Sequence, residues 1–262
     1  METMKKWILL LLVAFVSVPG SAQSDWLRII SGMLKAGQAV TITDEQLAAA
    51  VKEEVAEMDH ANRVCPPSDA YTKRLKRITS KMKSADGIHL NFKVYKTKDV
   101  NAFACPDGSV RVFSALMDVL NDDELAGVLG HEIGHVALRH SKKAWRSAML
   151  RSAASDALGA VSSTWAGLSD SFIGDLSSVA LSARHSRYHE TQADEYGYEY
   201  LKKSGRNPWA MGLALIKLKK LSEGNSASKY EKWLQAFSSH PDFDARIENI
   251  RRMAKRDGLS VK

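Results

Sequence analysis

The chain has 262 residues, 45% hydrophobic and 26% charged. These proportions suit one catalytic domain or two small ones, and they exclude a mainly disordered chain, a collagen-like chain and a multi-span membrane protein. Two cysteines exclude a disulfide-dense mini-protein and a four-cysteine zinc finger, and the formal charge of +7 is spread among acidic residues rather than gathered in a stripe, so no nucleic-acid partner is expected.

Residues 1–22 read METMKKWILLLLVAFVSVPGSA. Lys5 and Lys6 form a basic start, Trp7 to Val18 an apolar core, and Pro19-Gly20 a break. Gly20 and Ala22 are small residues at the −3 and −1 positions of a cut after Ala22, which is the pattern of a secretory signal peptide. The alternative is a retained membrane anchor, but the apolar core is too short to span about 30 Å of hydrocarbon as a helix. The mature chain is expected to run over 23–262 as one domain without a transmembrane helix. Export places it where thiols oxidise, so Cys65 and Cys105 are a candidate disulfide; the alternative is two free thiols.

Thr43 to His60 carries Leu47, Val51, Val55 and Met58 at helical spacing behind Thr43 and Asp44 as caps. Cys65-Pro66-Pro67 ends that helix, and Ser68 or Asp69 caps a second one with Tyr71, Leu75, Ile78 and Met82 on one face. These helices fill 43–85, closed by a turn at Asp86-Gly87. Ile88 to Tyr95 alternates apolar and polar residues as a strand does. Ala102 to Ala104 and Val110 to Phe113 are two further strands, joined through Pro106-Asp107-Gly108 as a hairpin, so a sheet is expected over 88–113. From 114 to 262 the chain reads as helical. Asn121 or Asp122 caps a helix that runs to Leu138, and residues 147–183 read as helices with loose turns that cover a cleft. Arg184 to Lys203, Pro208 to Leu221 and Asp242 to Lys255 are further helices, with a polar loop over 222–228.

The helix after Asn121 contains His131-Glu132-Ile133-Gly134-His135, an HExxH motif. Residues i and i+4 share a helical face, so both imidazoles can bind one ion. Neutral imidazole suits Zn²⁺, which in a catalytic site takes three protein ligands and leaves one position open. Glu132 lies beside that position, where it can take a proton from the attacking water and pass it to the leaving amine. Gly134 keeps the helix surface low for a second helix. The extended motif with a downstream glycine and third histidine is absent, since Leu138 and Ser141 stand at those positions. The third ligand is therefore sought in His189-Glu190-Thr191-Gln192-Ala193-Asp194. Glu190 and Asp194 share one helical face; Glu190 is the candidate ligand and Asp194 the acceptor for the free N–H of a ligand histidine, His131. Ala193 allows the helices to pack closely. The expectation is one Zn²⁺ per chain.

With these motifs in place the chain resembles the HtpX, prenyl-protein (CAAX) peptidase and LoiP/BepA family of zinc metallopeptidases, which are gluzincins, and among them the periplasmic LoiP-type members. The resemblance runs from about Lys93 to Arg246 and rests on VNAFACPDGSVRVFSALMDVL, DDELAGVLGHEIGHVALRH, RYHETQADEYG and SSHPDFDARI. It implies an α+β, mostly helical, zincin-like fold with a small antiparallel sheet against the HExxH helix. It also implies hydrolysis of peptide bonds in exported, misfolded or envelope proteins of the periplasm, with membrane association left open. The chain departs from the membrane members of the family: Asp156, Asp170 and many serines in 147–183 argue against a membrane hairpin there.

The resemblance gives His240, in Ser239-His240-Pro241, a place near the metal. It either stabilises the oxyanion of the tetrahedral intermediate or fills the open position and keeps the enzyme latent. Arg246 either supports that corner by pairing with a carboxylate or lies on the surface. His60, His89, His140, His185 and His189 read as solvated or structural. The hairpin strands, through Ala102, Phe103, Val110 and Val112, are candidates to pair with an extended unfolded polypeptide by backbone hydrogen bonds. A second function remains beside the protease: a chaperone-like assembly factor for the outer membrane, with a latent protease site and the assembly machinery as partner.

Overall fold

The structure, a computed structural model, describes residues 42–157, 185–223, 240 and 242–261. The expected signal segment, the expected cover from 158 to 183 and the expected loop from 224 to 228 lie outside the described residues. Helix α1 (Asp44–Ala61) opens with a capping box: Gln46 N–H donates to Thr43 Oγ1 at 3.3 Å, and Thr43 N–H donates to Gln46 Oε1 at 2.9 Å. Its buried face is Leu47, Val51, Val55 and Met58, as the spacing predicts. Helix α2 (Ala70–Ile78) is capped by Asp69, which accepts from Tyr71 N–H at 2.8 Å. It ends at Ile78, short of Met82, where Thr79 N–H and Oγ1 both donate to the carbonyl of Leu75.

The expected strand 88–95 is two strands. Ser84–Ala85 (β1) and Ile88–His89 (β2) form a hairpin around Asp86 and Gly87, both at positive φ, as two-residue hairpin turns require. The chain then breaks at buried Leu90, whose N–H donates to Lys83 O, and resumes as β3 (Asn91–Tyr95). Strands β4 (Ala102–Ala104) and β5 (Ser109–Phe113) form the predicted antiparallel hairpin. The sheet is nevertheless mixed rather than antiparallel, because its order is β3-β5-β4 and β3 runs parallel to β5 in the register Asn91↔Ser109 to Tyr95↔Phe113. Strand β5 is buried along its whole length and takes the centre, and residues 96–108, which include β4, make the long crossover that a parallel pair needs. An antiparallel bridge from Val64 to Tyr95, with Cys65 N–H donating to Val94 O, covers the outer side of β3. Strand β4 is the edge that no described strand covers.

Cys65 and Cys105 do not pair. Both are buried free thiols, and they lie in separate apolar clusters, one between α2 and the sheet and one between the sheet, α1 and Trp145. Burial raises the pKa of each, to well above the ordinary value at Cys105. The oxidising compartment expected from residues 1–22 carries no information on whether two side chains meet.

Helix α3 (Ser114–Val119) leads into α4 (Asp122–Ala137), whose capping box joins Asn121 and Glu124. Helix α4 is central: it packs on α6 (Arg187–Lys203), α7 (Ala210–Glu223) and β4, with Leu125, Ala126, Leu129 and Ile133 fully buried. Helix α5 (His140–Ala157) lies against α4 and α1, and α8 (Phe243–Arg256) against α6 and α7. The whole is α+β and mostly helical, and among the described residues no helix is long and apolar enough to cross a membrane.

A buried ion pair fastens α1 to the sheet. Arg111 of β5, its side chain 2% exposed, reaches both oxygens of Asp59, Nε to Oδ1 at 2.7 Å and Nη2 to Oδ2 at 2.9 Å. Lys93 Nζ and Tyr95 O–H donate to the same carboxylate. Burial alone would raise the pKa of Asp59, but the hydrogen bonds from Arg111 and Lys93 hold it below 3.8. Its contribution to stability is therefore complete above the unfolded-state pKa of about 3.9 and disappears as pH falls through the lower folded value. Asp59→Ala leaves Arg111 buried without a counter-ion and is expected to destabilise the fold by about 3 kcal/mol, read from urea unfolding at pH 7. At a pH below both values the same substitution is expected to change little.

Candidate metal centre and peptidase site

Two helices in backbone contact build the site. A Cβ on Gly134 of α4 would lie 2.8 Å from the carbonyl oxygen of Ala193 in α6, and one on Gly197 would lie 2.8 Å from the carbonyl carbon of Gly130. Any larger residue pushes the helices apart. The close approach delivers Glu190 to the face of α4 that carries the two motif histidines.

His131 Nε2 and His135 Nε2 are 3.0 Å apart. Glu190 Oε1 is 3.3 Å from His135 Nε2, and its Oε2 is 3.5 Å from His131 Nε2. His240 Nδ1 is 3.1 Å from Glu190 Oε1 and 3.2 Å from His131 Nε2. One ligand atom from each of these four residues lies within 4.8 Å of all the others. Tetrahedral zinc ligands at about 2.0–2.1 Å from the ion sit about 3.3 Å from one another. The three helix-borne groups match that spacing. They also present lone pairs and carboxylate oxygens to one another, an arrangement a divalent cation neutralises. Burial keeps the His135 imidazole far below its ordinary pKa, hence neutral. Burial works the other way on Glu190, but His240, His131 and hydrogen bonds from His135 and His240 bring it far below the carboxylate range. The donor set is two imidazoles and one carboxylate, which fits zinc.

Asp194, one turn beyond Glu190 and fully buried, accepts from His131 Nδ1–H at 2.8 Å. Arg246 of α8 decides between the two places the sequence left open to it: it is buried. Its Nε and Nη2 donate to the Asp194 carboxylate at 2.8 and 2.7 Å, and its Nη1 lies 2.9 Å from Glu190 Oε2. One guanidinium thus holds the two buried carboxylates of α6. Asp194 stays ionised despite burial because of Arg246 and then His131. Glu132 is buried too, its Oε1 3.7 Å from His240 Nε2.

His240 sits on a turn rather than a helix. Asp242, two residues on, has φ +65 and forms an ion pair with Arg187 at 2.5 Å, which ties the turn to the start of α6. Burial disfavours charge on His240, but Glu190 and Glu132 outweigh it and raise its pKa.

Of the four residues proposed for peptide pairing, Val110 and Val112 belong to the central strand β5, whose two sides are both occupied. The side chain of Phe103 packs in the core against Tyr95 and Phe113. Among the described strands the open edge belongs to β4, which lies beside α4. Since Asn101 O and Cys105 N–H bond to β5, the alternation of an antiparallel pair directs the amides of Ala102 and Ala104 outward.

Three histidines read from the sequence as solvated or structural surround the site. His140 Nδ1 is 3.1 Å from His135 Nδ1, the His185 ring stacks on His135 with centroids 4.0 Å apart, and His189 stacks on His140 at 4.1 Å. Burial lowers the pKa of His140 to about 4 and of His185 to about 3. His60 and His89 are exposed, as expected.

This is the site of a metallopeptidase, two helices supplying a His-His-Glu donor set with a further glutamate beside it. The model of peptidase family M48 matches residues 69–254, and the chain belongs to that family. The chain is 40% identical over 223 residues to the metalloprotease YcaL of Escherichia coli, covering 85% of each, and 36% identical over 245 residues to the metalloprotease LoiP of the same organism, covering 92% of this chain and 93% of that one. The E. coli beta-barrel assembly-enhancing protease is 32% identical over 174 residues, 63% of this chain and 34% of that one. The protein is a metalloprotease.

Removing the guanidinium of Arg246 leaves two buried carboxylates without their cation. Arg246→Ala is expected to cost about 3–5 kcal/mol in urea unfolding of the metal-free chain. A loss below 1 kcal/mol would mean that Arg246 does not hold them.

Proposed function

We propose that this chain is a zinc-dependent metalloendopeptidase that cuts unfolded or misfolded exported proteins in the periplasm, after export directed by residues 1–22. The observation that carries the reading is the convergence of His131 Nε2, His135 Nε2 and the Glu190 carboxylate within 3.0–3.5 Å of one another, with Glu132 alongside. These three groups hold one zinc ion per chain, which supplies Lewis-acid chemistry: it polarises a peptide carbonyl and acidifies water. Glu132 takes the proton of the attacking water at its carboxylate and passes it to the leaving amine. Asp194 holds His131 in the tautomer whose Nε2 is free, and Arg246 keeps Asp194 ionised and holds Glu190 in place. The outward amides of Ala102 and Ala104 pair with an extended substrate backbone, which selects for unfolded polypeptide and not for sequence. The similarity to LoiP and YcaL supports the peptidase reading.

A second reading is favoured by His240. Its Nδ1 lies in the same ligand group, and a fourth protein ligand closes a zinc site against substrate. In that reading the chain is a chaperone-like factor for outer-membrane assembly with a latent protease site, in line with its similarity to the assembly-enhancing protease. If His240 instead stabilises the oxyanion, it is part of catalysis.

One assay separates these. Glu132→Gln is expected to keep its zinc and lose at least 10²–10⁴-fold in casein cleavage, because the amide cannot take a proton. His240→Ala is expected to raise cleavage if His240 plugs the site and to lower it by a smaller factor than Glu132→Gln if it serves the oxyanion. Zinc-loaded wild type and His240→Ala that both bind unfolded casein without cutting it would favour the assembly factor. Glu190→Ala is expected to lose its zinc by elemental analysis, and full zinc content in that variant would overturn the ligand set.

A further inference from the structure

An imidazole that binds metal through one nitrogen needs an acceptor for the hydrogen on the other, and the loss of that acceptor costs roughly 10- to 100-fold in metal affinity. His131 has Asp194 in that place. For His135 the nitrogen in question faces another ring. We propose that His140 is a positioning residue of the metal centre: its Nδ1 accepts the Nδ1–H of His135 and so fixes the tautomer and the ring plane in which His135 Nε2 is presented. The inference rests on the zinc reading above.

Two ring nitrogens 3.1 Å apart form a hydrogen bond only if one carries the hydrogen. His135 Nε2 looks toward His131 Nε2 at 3.0 Å and Glu190 Oε1 at 3.3 Å, the ligand side. The hydrogen of His135 is therefore on Nδ1, and His140 Nδ1 is the acceptor. The hydrogen of His140 then lies on its Nε2, and the side chain of Gln192 in α6 is a hydrogen-bond partner of the ring. His140 is 3% exposed and its face is covered by His189, so its ring has little freedom to turn away.

The local backbone is built for this. Helix α4 ends at Ala137, and Leu138 closes it by donating to Gly134 O. Arg139 then adopts φ +63, a left-handed conformation that a residue with a Cβ rarely takes. The chain reverses there, and α5 begins at His140. A continued helix would carry residue 140 onward, away from His135; the reversal brings it back against that ring. The side chain of Arg139 is tied to Asp86 in the β1–β2 turn at 3.2 Å. The two ligand histidines are thus backed unequally, His131 by an anion and His135 by a neutral ring, so His140→Leu and Asp194→Ala remove different supports.

The test is zinc affinity of the full-length protein, measured by competition with a chromophoric chelator, for wild type, His140→Leu and His140→Asn. Leucine fills the space without an acceptor, and asparagine places an amide oxygen near the position of the ring Nδ1. The expected result is 10- to 100-fold weaker zinc binding for His140→Leu, recovery to within about threefold for His140→Asn, and equal melting curves for the three metal-free proteins. Wild-type affinity in His140→Leu overturns the inference, and so does an equal loss in both variants, which would make the ring a packing element only. If His140→Leu does not fold, ¹⁵N imidazole spectra of the wild-type protein decide: hydrogen on His135 Nδ1 with a bare His140 Nδ1 supports the assignment, and hydrogen on His140 Nδ1 overturns it. Wild type that binds no zinc overturns the zinc reading along with this one; wild type that binds zinc, beside an unaffected His140→Leu, removes the role of His140 alone.

Discussion

The site depends on the distance between α4 and α6. Gly130, Gly134, Ala193 and Gly197 let two helices touch backbone to backbone, and at Gly134 and Gly197 even a Cβ would come within 3.0 Å of the facing backbone. A glutamate is a short arm. At an ordinary interhelical separation of 8–10 Å set by larger side chains, Glu190 would not reach the nitrogens of His131 and His135 together. The small residues of the motifs therefore carry as much of the chemistry as the charged ones.

Close packing also buries charge, and the balance of that charge indicates what the pocket is made to hold. Glu132, Glu190 and Asp194 bring three formal negative charges into a region where each is under 9% exposed, and Arg246 returns one positive charge. Buried charges are tolerated when paired, and an excess of two negatives is a strong field for a divalent cation. The raised pKa of His240 has the same origin, since Glu190 and Glu132 draw positive charge toward it. Arg246 sets the boundary of this field. By holding Asp194 at two atoms and Glu190 at one, it leaves the second oxygen of Glu190 directed at the histidines.

What was legible in the sequence follows from how far apart the cooperating residues lie. His131 with His135 and Glu190 with Asp194 are each one helical turn apart, so spacing alone puts each pair on one face, and the structure brings both pairs together. His140 was missed because its position depends on a left-handed residue after the helix end, and Arg139 is not a residue type that signals one. The strand segments and the β4–β5 hairpin were readable from alternation and turn residues. The insertion of β5 between β3 and β4 was not, since alternation reports which face is buried and not which neighbour lies alongside. The cysteine pair failed for a related reason: the expected compartment makes a disulfide favourable, but Cys65 and Cys105 face different clusters of the core.

The four residues of the ligand group are not held alike. His131, His135 and Glu190 stand on helices whose positions are set by buried side chains and by the glycine seam. His240 stands on a turn, tied back through Asp242 to Arg187, a side chain that is 86% exposed. An ion pair so exposed contributes about 1 kcal/mol or less, and the left-handed backbone at Asp242 subtracts from that. Moving the three helix-borne groups would require disrupting the core; among the described residues His240 is held by its contacts with Glu190 and His131 and by the Asp242–Arg187 pair. On the reading of this protein as a zinc peptidase, the fold carries three ligands on core helices and places on a turn the group that either closes the fourth position or serves the oxyanion.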